Sequence, residues 1–287
     1  MVEPPELRGP TRDQVYRRRV VALIVVGAAL GVAGWAAWTA LGGDDKAAPP
    51  TTVGPPKVIQ VLFPEGFTRA QMAERAGAVS PTITARGYLA ATASSPLPGR
   101  FAGDGKARNL EGSLFPATYD LFETDPAARL VRKQLGAFRL NWGKVKLGYA
   151  HSKNLTAYDV LIIASMIEKE VIVPKERALV AAVIYNRLRQ RMPLGIDATL
   201  RYGLGIPPTE AITKQDLASN SPYNTRKFRG LPPTPIANSG LASMQAAAHP
   251  AKVDYLYFVR KPDCRSHFFT ASIAEFDAYT RKGLTNC

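Results

Sequence analysis

Twenty-two consecutive uncharged residues, Val20 to Leu41, constrain this chain more than any other feature. A stretch of that length crosses the hydrocarbon core of a bilayer as a helix. Arg17, Arg18 and Arg19 precede it directly. Basic flanks stay on the cytoplasmic side, so the N-terminus is expected inside and everything after Leu41 outside. Trp35 and Trp38 then fall near the outer interface, where indole rings are favoured. The competing reading is a cleaved signal peptide, whose apolar region is normally about 7–15 residues long and so shorter than this one.

The expected organisation is therefore a cytoplasmic tail (1–19), a transmembrane helix (20–41) and a Pro/Gly-rich linker (42–57), followed by the folded region. Val58 to Phe63 is β-branched and apolar and is stopped by Pro64 and Gly66, which predicts a short strand. Thr68 with Gln71 forms a capping box opening a helix that should end near Gly77. Ser80 followed by Pro81 predicts a second helix start, and Ala93 to Arg108 reads as a loop. Thr156 with Asp159 opens a helix running to Glu170, apolar nearly all round over residues 160–167 and hence buried on most faces. Pro174 opens another, with Ala178, Ala181, Ala182, Ile184 and Leu188 at helical spacing. Tyr255 to Val259 and His267 to Thr270 predict two strands. The fold class is α+β, with a small module over 58–125 and a catalytic domain over 126–287.

The formal net charge of +14 points to a polyanionic partner. The basic residues are scattered, with no basic tract and no aromatic–arginine interleaving. Nucleic acid is therefore not an expected partner, and anionic wall polymers or lipid are; a merely solubilising surface is the alternative. Cys264 and Cys287 are the only cysteines, His151, His249 and His267 lie far apart, and no zinc spacing occurs. No metal or cofactor is expected. In an oxidising compartment the two cysteines are expected to form a disulfide, the alternative being two free thiols.

Glu168 and Glu170 lie at the C-terminal end of the buried helix, about 200° apart around its axis. Leu161, Ala164 and Ser165 share the face of Glu168, so Glu168 is expected to be the buried carboxyl. Burial and the helix C-terminus both raise a carboxyl pKa, and a protonated carboxyl is what a general acid requires. A plain ion pair with a nearby Arg or Lys is the structural alternative. The sequence has no S-x-x-K, G-x-S-x-G, Walker A or G-x-G-x-x-G pattern, which argues against serine acyl transfer and nucleotide chemistry.

Six ordered segments carry a resemblance: Ile163-Ala-Ser-Met-Ile-Glu-Lys-Glu170, Tyr185-Asn-Arg-Leu188, the run from Leu194 to Gly203, Ser221-Pro-Tyr-Asn-Thr225, Gly230-Leu-Pro-Pro233 with Pro235-Ile-Ala-Asn238, and Ala246-Ala-Ala-His-Pro250. Together with Leu110-Glu-Gly-Ser-Leu-Phe-Pro-Ala-Thr-Tyr119 and the strand–Pro-Glu-Gly–helix segment from Val58, they resemble the YceG-like family. These are membrane-anchored endolytic murein transglycosylases, often called MltG. Two departures occur: Ala117 replaces the family's usual Asp in F-P-D-T-Y, and Ala198 follows Asp197 where Pro is frequent.

The resemblance implies that Glu168 is the catalytic acid/base and that the module near 57–95 is a LysM-type glycan-binding fold. Asn186, Asp197, Tyr223, Asn224 and Asn238 would line the substrate groove, with a structural role the alternative for Asn186 and Asn238. The implied reaction cuts the MurNAc–GlcNAc bond of peptidoglycan glycan strands, leaving 1,6-anhydroMurNAc ends. One carboxyl then suffices where ordinary glycosidases use two. Implied partners are the glycan strands, the plasma membrane, and penicillin-binding proteins with other wall-elongation proteins. Two alternatives stand beside this reading: a peptidoglycan hydrolase with Asp197 as second carboxylate, and a non-catalytic wall-binding protein.

Overall fold

The computed structural model describes residues 23, 26–37, 57–94, 101 and 109–283. The chain forms two compact units, residues 1–54 and 55–287. In the first, residues 26–37 are helical. Among the described residues no helix is long and apolar enough to cross a membrane. The remainder of the expected span, and the linker up to residue 56, lie outside the described residues.

The second unit begins with strand β1 (Val58–Leu62), helices α1 (Arg69–Val79) and α2 (Ala85–Ser94), and strand β2 (Thr118–Phe122). The strands pair antiparallel from Val58↔Phe122 to Leu62↔Thr118. Side chains alternate faces along a strand, so Val61, Tyr119 and Leu121 are buried under the two helices while Val58, Leu62 and Phe122 stay exposed. The capping box at Thr68 forms as the sequence predicts, and α1 runs slightly past Gly77 to Val79.

The expected helix start at Ser80–Pro81 does not form. Ser80 Oγ accepts the N–H groups of Thr82 and Ile83, which makes a turn. The helix begins at Ala85 instead, where Thr84 Oγ1 accepts from the Gly87 N–H at 3.0 Å.

Helix α3 (Ala127–Trp142) follows, the longest of the described helices of this unit. It shares its residues between two cores: Leu130, Val131 and Leu135 pack under the β1–β2 sheet, whereas Phe138 and Trp142 join the larger cluster beyond. A short turn of helix, α4 (Gly148–His151), leads to α5 (Ala157–Glu170), capped by Thr156 and Asp159 as expected. Every residue of α5 from Tyr158 to Ile167 is buried. It is the centre about which the larger core assembles.

A 3-10 turn (Pro174–Glu176) opens α6 (Arg177–Arg189), then come α7 (Asp197–Leu204), α8 (Lys214–Ala218) and α9 (Leu241–Ala248). Strands β3 (Tyr257–Arg260) and β4 (His267–Thr270) form the second hairpin, and α10 (Ile273–Arg281) ends the described chain. Among the described residues, two separate two-stranded sheets within a largely helical body make the fold mixed α+β.

Candidate active-site groove

A groove of about 890 Å³ runs between the start of α1 and the α7–β3 side of the larger core. Thr68, Arg69 and Gln71 line it from one side, and Asp197, Tyr202 and Arg260 from the other, with Glu111 and Glu170 between them.

Glu170 reaches this groove because it is the last residue of α5, on the side away from Glu168. The residue keeps some exposed surface, but its carboxyl group is enclosed. Burial, and secondarily the charge of Asp197, push that carboxyl up to about 7. The charges of Arg260 and Arg226 and the backbone amide of Ala198 pull the other way. The amide belongs to the first turn of α7, where the helix dipole favours a negative charge.

Burial on α5 does not by itself single out Glu168, since Glu168 and Glu170 are both partly buried, and it is Glu170 that the groove reaches. Glu168 is not among the residues lining the groove. Its Oε2 accepts the N–H of Gly240, the N-cap of α9, at 3.1 Å. Its Cγ lies against Gly66. Glu65 lies beside it, with its carboxyl raised above the ordinary range by burial first and by the Glu168 charge second, while Arg177 lowers it. The Glu65 carboxylate occupies the space into which any side chain at Gly240 would project. Glu168 thus ties α5 to the Pro64-Glu65-Gly66 turn and the start of α9. The physical reason for the difference is rotational: the face of α5 that carries Ser165 and Glu168 meets α9 and the 236–240 segment, leaving the Glu170 side open to the groove.

Glu111 is the second enclosed carboxyl, 3% exposed. It accepts the Arg69 backbone N–H at 2.9 and 3.1 Å, the Asn238 amide at 2.8 Å and the Tyr202 hydroxyl at 3.1 Å. Burial nonetheless pushes it up to about 7 against these donors. The following Gly112 has φ +83°, and a Cβ there would stand 2.6 Å from Pro235, so only glycine fits this crossing. Sequence reasoning did not single out Glu111. The signal was a lone carboxylate in an apolar run followed by glycine.

Residues 46–282 match the YceG-like family. The chain belongs to that family. A Bacillus subtilis (strain 168) protein named endolytic murein transglycosylase is 36% identical over 177 residues, 62% of this chain and 49% of that protein. A Streptococcus pneumoniae (strain ATCC BAA-255 / R6) protein of the same name is 34% identical over 227 residues, 71% of this chain and 41% of that one. The chain thus spans less than half the length of these curated relatives. A crystal structure of a YceG-like protein from Listeria monocytogenes superposes with a TM-score of 0.67 at 32% identity, covering 79% of this chain and 77% of that one.

On this YceG-like fold the five residues expected to contact substrate separate. Asp197 lines the groove and is ion-paired with Arg226. Tyr223 packs its ring on Tyr202 at 5.2 Å and shares a hydrogen bond with Thr234 at 2.7 Å, and it is not a lining residue. Asn186 donates to the carbonyls of Val253 and Tyr255, which fixes the approach to β3. Asn224 is fully buried and donates to the carbonyls of Leu217 and Ser219. Asn238, also fully buried, is spent on Phe67, Leu114 and Glu111. These three asparagines bond to the protein itself, and for Asn224 and Asn238 burial demands it, because buried amides cannot be left without partners. Cys264 sits in the turn between β3 and β4, and Cys287 lies outside the described residues. Among the described residues no cluster of His, Cys, Asp and Glu could hold a metal.

Proposed function

We propose that this chain is an endolytic lytic transglycosylase that cuts the MurNAc–GlcNAc bond of peptidoglycan strands, with Glu170 as its single acid/base. The observation that carries the reading is the Glu170 carboxyl, enclosed beside the groove and pushed up to about 7. Such a group delivers a proton near neutral pH and accepts one back. The names of the family relatives support the reaction class.

Glu170 protonates the bridging oxygen, and the bond from that oxygen to C1 of the muramoyl residue breaks. The C6 hydroxyl of the same residue attacks C1, and its proton passes to the Glu170 carboxylate. The product is a 1,6-anhydro ring, no water is consumed, and the enzyme returns to its starting state. Between the steps, Arg260 and the Ala198 amide favour the carboxylate form.

The βααβ module of β1, α1, α2 and β2 serves in this reading as a LysM-type glycan holder over 58–125. It supplies Thr68 to Gln71 to the groove shared with the catalytic region over 126–287. We place the catalytic region outside the cell, tethered through residues 20–41, acting on nascent strands beside penicillin-binding proteins and other wall-elongation proteins.

A second reading is favoured by one contact. Asp197 lines the same groove, so a hydrolase with Glu170 as acid and Asp197 activating water remains a defined alternative. Digestion of purified strands followed by mass spectrometry decides between the two. Anhydro ends support the transglycosylase, and reducing ends, heavier by one water, overturn it.

A further inference from the structure

We propose that Arg260 pairs with a carboxylate borne on the muramoyl side chain of a bound strand, so that the groove prefers acid-bearing glycan to neutral glycan. The inference rests on the groove being the glycan site.

Six cationic side chains line the groove, Arg69, Lys169, Arg187, Arg201, Arg226 and Arg260, against the carboxyls of Glu111, Glu170 and Asp197. A backbone of N-acetylated sugars is uncharged, so the sugar chain alone gives no use for this excess. Five of the six cations are spent on the protein. Arg69 donates to the Leu89 carbonyl and the Thr92 hydroxyl, and Lys169 to the Gly66 carbonyl. Arg187 donates to the carbonyls of Leu256, Pro193 and Leu194. Arg201 holds those of Pro207 and Glu210, and Arg226 holds Asp197.

Arg260 differs. It makes no hydrogen bond or ion pair through its side chain among the described residues. It is the last residue of β3, opposite His267, whose ring is itself committed to Glu176 at 2.7 Å. It lines the same groove as Glu170 and its charge acts on that carboxyl without bonding to it. A guanidinium presents a planar fork of donors matched to a carboxylate.

On a peptidoglycan strand, carboxylates come from two sources. One is the stem peptide, and the other is the lactyl group of muramic acid once the stem is removed. Both are carried on the muramoyl residue whose C1 is the reacting atom, so a cation near Glu170 is suitably placed for either.

The test reads binding of the full chain in detergent to three oligosaccharides of equal length. These are stem-bearing muramoyl strands, the same strands stripped by an amidase, and chito-oligosaccharides without any carboxylate. Arg260→Gln is expected to weaken binding of carboxylate-bearing strands about tenfold. Binding of the chito-oligosaccharide should be unchanged, and Arg260→Lys should recover part of the loss. A loss confined to stem-bearing strands assigns the peptide carboxylate, and a loss on stripped strands assigns the lactyl group. An equal change on all three, or on none, overturns the proposal. A wild-type chain that binds none of them overturns the groove assignment as well. Absence of cleavage, with binding intact, would count against the catalytic reading alone.

Discussion

Asn238 donates its side-chain amide to the Glu111 carboxylate at 2.8 Å and to the Phe67 carbonyl at 3.0 Å. Its Oδ1 accepts the Leu114 N–H at 2.9 Å, and its backbone exchanges hydrogen bonds with Gly66 and Phe67. One asparagine therefore clasps the turn after β1, the Glu111 segment and the loop before α9. Asn238→Ala should strand the buried Glu111 oxygen and the Leu114 amide, a loss of about 1–3 kcal/mol per group left unpaired. Urea unfolding should show the reduced midpoint. An unchanged midpoint with lost strand binding would instead return Asn238 to the substrate.

Substitution separates the two glutamates of α5. Glu170→Gln should lower strand cleavage by a factor of about 10²–10⁴ or more, because the amide can neither give nor take the proton. Its melting temperature should not fall, since the replaced group is a carboxyl enclosed at a cost. Glu168→Gln retains an oxygen for the Gly240 N–H and relieves the charge beside Glu65, so most activity should survive. The reverse pattern, with Glu168→Gln inactive and Glu170→Gln still cleaving, would move the catalytic role to the α9 side.

Much of this was legible in the sequence. The capping boxes at Thr68 and Thr156 and the all-round apolarity of α5 are local signals, and local geometry obeys them. α3 escaped because its N-cap is Pro126, which offers no side-chain cap. Which of Glu168 and Glu170 faces the groove was not legible, because helical spacing puts them on opposite faces without saying which face meets α9. That the amides of Asn224 and Asn238 bond to the protein's own groups was not legible for a related reason. A buried amide bonded to carbonyls and a groove-lining amide look alike in one dimension.

The raised carboxyls make stability depend on pH. Glu111 and Glu170 both shift from 4.5 to about 7 in the folded chain. Between these values the folded state binds more protons than the unfolded state, so stability is greatest below about 4.5 and is lost as pH rises through about 7. Moving one carboxyl this far corresponds to on the order of 3 kcal/mol. The difference in unfolding free energy between wild type and Glu111→Gln should grow in favour of the variant from pH 5 to pH 8, after allowing for the altered hydrogen bonds. A difference independent of pH would refute the raised Glu111. For activity, kcat/KM should fall as pH rises through about 7, where free Glu170 loses its proton.

Anchoring through residues 20–41, with Arg17 to Arg19 inside, predicts that protease added to intact protoplasts removes the folded region. Survival of that region under protease, or its release as a soluble protein cut near Leu41, would defeat the anchored topology.

The last prediction concerns the two cysteines. Cys264 has φ +53°, in the tight turn joining β3 and β4, and the residues after α10 lead on to Cys287. A bridge between these two positions would close a loop carrying β4 and α10, tying position 287 to the hairpin that presents Arg260 to the groove. In the chain-entropy account, closing a loop of this length contributes about 3 kcal/mol, mainly by restricting the unfolded chain. Cys264→Ser with Cys287→Ser should therefore lower the urea midpoint, with the larger effect on stability than on cleavage at low temperature. Alkylation of non-reduced, denatured protein gives the direct readout: no thiol labelled supports the bridge, and two labelled thiols rule it out. If the bridge forms, reductant should reproduce the stability loss of the double variant and have no further effect on that variant.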